Sequence, residues 1–134
     1  MIGSTNSQVP LQGEVHPAQV AGSFYPDQEE QLRTVIHALA RKALAPCIMP
    51  KIAIIPHAGI QFSGLPAVTS VLAWAHRRPA PRRIVIIGPA HRYAFHGLAV
   101  HPARRWRTPL GEVSSMGDLA VKIPEVCILP EAYR

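Results

Sequence analysis

Two short β-branched runs, Ile52-Ala53-Ile54-Ile55 and Ile84-Val85-Ile86-Ile87, constrain this chain more than any other feature. Each is too short for a helix and is bounded by proline or glycine. Apolar residues at successive positions point to strands buried on both faces. Between them Leu65, Val68, Val71, Leu72 and Ala75 share one side of a helix of roughly three turns. That helix is expected to begin at Ser63 or Gly64 and to close near Arg77 and Pro79. Strand, helix, strand of this length is a βαβ unit, which demands parallel strands and a right-handed crossover. The expected fold class is therefore α/β, a parallel-containing sheet with flanking helices.

A second helix is expected upstream. Asp27 is its N-cap and Glu30, three residues on, its capping-box partner. Leu32, Val35, Ile36, Leu39, Ala40 and Ala43 form its apolar stripe, and Pro46 ends it. Residues 1–14 are polar and aperiodic and read as a disordered leader, which leaves 15–134 as the domain. Downstream, Leu98 to Val100 reads as an edge strand, Thr108-Pro109-Leu110-Gly111 as a turn, Asp118 to Lys122 as a short helix, and Val126 to Leu129 as a further strand.

Composition narrows the class. Hydrophobic residues make up 48% of the 134 and charged residues 16%, a globular balance. No apolar run approaches the ~18 residues that cross a bilayer. Met1 to Gln12 lacks the pattern of a signal peptide, so a cytoplasmic location is expected. Cys47 and Cys127 show no CxxC spacing, which suits a reduced compartment. The net charge is +6, but its arginines sit in short loop-like clusters (Arg77 and Arg78, Arg82 and Arg83, Arg104, Arg105 and Arg107). With no basic helix face and no aromatic-interleaved stripe, the charge argues for solubility and against a nucleic-acid partner.

The chemistry lies at the ends of the two runs. Ligands bind parallel sheets in the crevice beyond the carboxyl ends of the strands. His57 follows Ile55 closely and His91 follows Ile87, so parallel strands would bring both out at one edge. Neighbouring strands lie about 4.8 Å apart, close enough for two imidazoles to share an ion at the ~2.0–2.1 Å that zinc takes. A single turn histidine more often faces solvent or bonds backbone; it is the matched pair that favours a metal. A third ligand is open among Glu112, Asp118, Glu125, Glu131 and Cys127. His96 and His101 read as surface residues, and His16, His37 and His76 as surface or helix-edge residues. Phe24, Tyr25, Gly59, Phe62, Ser63 and Pro89 are the expected pocket lining. There is no GxSxG, Walker or GxGxxG motif, and Ser63 reads as an N-cap rather than a nucleophile.

Four motifs occur in one order: Ala21-Gly22-Ser23-Phe24-Tyr25-Pro26, Pro56-His57-Ala58-Gly59 with Ser63-Gly64, Gly88-Pro89-Ala90-His91, and Thr108-Pro109-Leu110-Gly111. From Val15 onward the chain closely resembles the N-terminal half of the Memo family, whose prokaryotic members are called AmmeMemoRadiSam system protein B. The resemblance implies a fold similar to class III extradiol dioxygenases, with helices on both faces of the sheet. It implies that His57 and His91 are metal ligands, joined by a third from the family's C-terminal half: a cysteine in the animal member, a glutamate in the related dioxygenases. A His-Ser-Glu segment and a further pocket histidine of the family are not matched here. Ile60 stands where many members carry tyrosine, Ala90 where serine is common, and Met116-Gly117 where aspartate is frequent. These changes alter the pocket's polar lining but spare the two ligands.

Taken together, the expectation is a metal-binding protein, iron first with copper or zinc as alternatives. In its complete form it would carry redox or dioxygenase-like activity toward a small aromatic substrate. The rival readings are a non-enzymatic module that holds a peptide or small ligand, as in the signalling roles described for animal members, and a truncated, inactive fragment.

Overall fold

The computed structural model describes residues 15–44, 50–75, 83–116, 122–123 and 125–133. The expected leader at 1–14, Pro46, Arg77, Pro79 and nearly all of the helix expected at 118–122 lie outside them. The chain divides into a helical unit, Val20–Ile87, and a strand unit composed of Met1–Gln19 with Gly88–Arg134.

In the helical unit, α1 spans Glu29–Lys42. Its start lies one residue beyond the expected cap. Gln28, not Asp27, takes the extended N-cap conformation, and its carbonyl accepts the Leu32 N–H at 3.0 Å. No side chain caps this end. Glu29 and Glu30 in the first turn and Arg41 and Lys42 in the last oppose the helix dipole instead. The apolar stripe is turned inward around Leu32, which is buried.

Helix α2 spans Ile60–Ala75, beginning earlier than the expected Ser63 or Gly64. The Gly59 carbonyl accepts N–H groups from Phe62 and Ser63 and so starts the helix before them. Pro66 lies inside it and removes one donor. The two helices meet at Gly64, where an added Cβ would sit 2.7 Å from Leu39 Cδ1 and 2.9 Å from Ile60 Cγ1. Overpacking of this kind costs about 1–3 kcal/mol. Gly64→Val is accordingly expected to lower the unfolding free energy read from urea denaturation by that amount, and an unchanged free energy would mean that Leu39 swings aside freely.

The two β-branched runs differ from expectation. Residues 52–55 and 84–87 carry no regular secondary structure, and neither belongs to a strand ladder among the described residues. Ile54 is 99% exposed and Ile86 90%. A run that is apolar on both faces gains stability only when neighbours cover both faces; among the described residues Ala53 and Ile55 are half-buried, whereas the second run is exposed throughout. The approach to the first run is anchored by the Trp74 indole N–H, which donates to the Pro50 carbonyl at 2.6 Å.

The parallel pairing occurs elsewhere. In the strand unit, β1 (Val15–His16) runs parallel to β3 (Arg105–Thr108), with His16 opposite Trp106. β3 turns into antiparallel β4 (Gly111–Ser114). A second sheet pairs β2 (Leu98–Val100) in parallel with β5 (Val126–Ile128), both close to where strands were expected. The 108–111 turn also forms. The Thr108 hydroxyl accepts the Leu110 N–H at 3.1 Å and donates to the Gly111 carbonyl at 2.9 Å, while Gly111 takes a left-handed φ of 121°. The protein is α/β, two helices with parallel-containing sheets, although its parallel strands are not those flanking α2.

Candidate metal centre

His57 lies on the turn that leads into α2 and is exposed. Two bonds hold that turn. The buried Ser63 hydroxyl donates to the Ala58 carbonyl at 2.7 Å, and the Ile60 N–H donates to the Phe24 carbonyl at 2.8 Å. Ser63 is therefore a tie inside the first turn of α2 rather than its N-cap. The second bond brings the Ala21–Pro26 loop to the same end of the helix. That loop is folded on itself: Gly22 adopts φ 81° and donates its N–H to the Tyr25 carbonyl at 2.8 Å, and Phe24 donates to the Val20 carbonyl at 2.9 Å. Phe24, Tyr25, His57, Gly59, Phe62 and Ser63 thus cluster along the chain around one helix end. Phe62 is 77% exposed and Phe24 45%. Tyr25 is half-buried, and burial raises its phenol above the ordinary tyrosine range.

His91 and Pro89 belong to the strand unit, where both are exposed. Of the candidate third ligands, Glu112 is engaged by Arg105 and Arg107, each at 3.1 Å. The exposed Cys127 thiol donates to the Leu98 carbonyl at 3.4 Å. Glu125 is exposed, Glu131 is half-buried on the 3-10 turn Pro130–Tyr133, and Asp118 lies outside the described residues. Among the described residues no three His, Cys, Asp or Glu side chains gather to hold a metal. An exposed imidazole on a tied-down turn fits a ligand's role, and two imidazoles suit iron, copper or zinc. The described residues do not by themselves assemble a full ligand set.

One cluster has no counterpart in the expectations. His16, read as a surface or helix-edge residue, is 8% exposed. Its ring meets His101 at 4.4 Å, Trp106 at 4.3 Å and Tyr133 at 6.4 Å between centroids. His101, also read as a surface residue, is half-buried. Burial lowers the pKa of His16 and raises that of Tyr133. The local signal was the alternation Arg105-Trp106-Arg107-Thr108 ahead of the turn, which marks a two-faced strand. The residues it packs against lie too far along the chain to leave a local trace. His37 and His96 are exposed, as expected, and His76 lies outside the described residues.

No helix among the described residues is long and apolar enough to cross a membrane. A family profile described as Memo-like protein matches residues 16–130. The chain is 39% identical over 121 residues to a MEMO1 family protein of Pyrobaculum arsenaticum, covering 79% of this chain and 40% of the relative. Another, from Thermococcus kodakarensis, is 39% identical over 114 residues, covering 83% and 38%. A third, from Methanopyrus kandleri, is 34% identical over 118 residues, covering 81% and 41%. The chain spans about two fifths of the length of these curated relatives.

Proposed function

The chain belongs to the Memo family, and from that premise we propose that His57 and His91 are two ligands of a metal site, iron before copper or zinc, in a protein with redox or dioxygenase-like activity. The observation that carries this reading is the presentation of His57, an exposed imidazole on a turn fastened by the Ser63 hydroxyl and by the Ile60–Phe24 backbone bond. Fastening matters because a ligand held in place before binding loses less freedom when the metal arrives. A bound metal at such a site supplies Lewis-acid and redox chemistry. The chain's own contribution is to hold the two imidazoles and to offer apolar surface from Phe24 and Phe62 to a small aromatic substrate. The third ligand is assigned to none of the described residues, and the extradiol-like architecture belongs to the same proposal.

Iron, copper and zinc measured in the purified protein test the ligand assignment. His57→Ala and His91→Ala are each expected to lower bound metal at least tenfold, an effect of about 1.4 kcal/mol or more in binding. Unchanged metal content in both variants would sink the assignment. A second reading rests on the exposure of Phe62 and Phe24 beside His57: a module that binds a peptide or small ligand without turning it over. Binding that survives removal of the metal would favour that reading, whereas aromatic-substrate turnover under oxygen that is lost in His57→Ala would favour the enzyme.

A further inference from the structure

We propose that His16 and His101 form an acid-sensitive clasp that holds β1 against β3 while both rings are neutral and loosens it when they take up protons. The clasp is independent of the metal reading and lies wholly within the strand unit. Among the described residues β1 comprises Val15 and His16, paired with Arg105 and Trp106. What fixes it is the seat of the His16 ring among three other rings. His101 comes from the segment after β2, Trp106 from β3, and Tyr133 from the 3-10 turn. The same rings also meet one another, His101 with Trp106 at 5.6 Å and with Tyr133 at 5.4 Å, and Trp106 with Tyr133 at 5.5 Å.

Two features make the seat sensitive to protons. The Ala103 N–H donates to Nδ1 of His101 at 3.0 Å, which requires that nitrogen to carry no proton. Protonation there converts the acceptor into a donor and removes the bond at Ala103, itself only 3% exposed. The two imidazole centroids also lie 4.4 Å apart, so a charge on each sets like charges against one another beside the buried His16.

Among the described residues, the following titratable and charged groups surround His16. His101 and Tyr133 face it directly, and the Tyr133 hydroxyl donates to the Ala99 carbonyl at 2.8 Å. Cys127 acts on Tyr133. On β3, Arg105 and Arg107 flank Trp106 in sequence and pair with Glu112. Glu131 shares the turn with Tyr133.

The sign follows from burial. Burial holds the pKa of His16 below its ordinary 6.5 in the folded protein, so the unfolded chain binds the proton more readily. The stabilisation is complete above about pH 6.5 and is lost as the pH falls toward the lowered folded value. Amide exchange at Val15, His16 and Trp106, corrected for its intrinsic pH dependence, should report the loosening between pH 7.5 and 5. The ratio of open to closed clasp is expected to rise by up to about tenfold per pH unit in that acid range. His16→Phe keeps a ring in the seat but cannot titrate, and should flatten the profile. His37→Gln, on exposed α1 surface, should leave it unchanged. A flat wild-type profile, or a His16→Phe profile as steep as the wild type, would overturn the clasp. Should His16→Phe fail to fold, direct titration of the His16 ring by NMR decides, and a midpoint at or above 6.5 would refute it.

Discussion

Trp106→Ala is expected to destabilise the strand unit by about 3 kcal/mol, the low end of the range for aromatic-to-alanine changes because the indole is only half-buried. Trp106 stands opposite both His16 on β1 and Val113 on β4. It also packs on the rings of His101 and Tyr133. Truncation removes the centre of this group and leaves a void bordered by rigid rings, which relax poorly into empty space. Backbone exchange followed residue by residue in denaturant is the appropriate measurement, because it reads β1, β3 and β4 apart from α1 and α2. Loss of protection should appear in the strands while the helices keep theirs. A shift below 1 kcal/mol would show that the aromatic contacts contribute little and that the backbone ladders alone hold the unit.

The second large effect concerns self-association of the 134-residue chain. Ile54 and Ile86 are almost fully exposed in segments that lack a ladder among the described residues, and Ile52, Val85 and Ile87 are also mostly exposed. Exposed β-branched segments outside any ladder are templates for strand addition. The chain is therefore expected to associate with itself at micromolar to millimolar concentration. Burying one isoleucine is worth roughly 1.5–3 kcal/mol, so losing two such contacts corresponds to about a hundredfold or more in association constant. Ile54→Lys combined with Ile86→Lys should raise the concentration at which sedimentation detects oligomers by that factor. Lysine adds charge repulsion to the lost burial, the device by which natural edge strands resist pairing. Association equally strong in the double variant would move the responsible surface away from both runs.

These two results bear on the metal proposal in different ways. The strand-unit rings are remote in sequence from His57, and a folded Trp106→Ala variant that still bound metal would leave the ligand assignment standing. The lysine variants lie next to the His57 and His91 turns. Metal content in them separates a need for paired strands from a need for the imidazoles alone.

Local pattern made α1 readable, because its stripe from Leu32 to Leu39 repeats at the helical period and needs no distant residue to be recognised. The same holds for α2, for the strands near Leu98 and Val126, and for the Thr108–Gly111 turn, whose hydroxyl and glycine chemistry is confined to four residues. The helix starts were misplaced. An N-terminus is set by which carbonyl first accepts an amide, and at α1 that is Gln28, whose side chain gives no capping signal. The two β-branched runs, expected as buried strands, form none among the described residues, because composition states what a segment would gain from partners and not whether partners are there.

The family, the α/β class and the two histidines following the β-branched runs were determined by the sequence alone, since each is written in contiguous motifs. The tertiary structure decided the rest. It paired Val15 with Arg105, buried His16 among rings from three other segments, and placed Ser63 as a tie on the His57 turn. Those outcomes depend on contacts between residues far apart along the chain, whose free energy comes from packing and desolvation in three dimensions. A histidine at position 16 has the same local neighbours whether it is solvated or buried, and only the return of β3 beside it settles which.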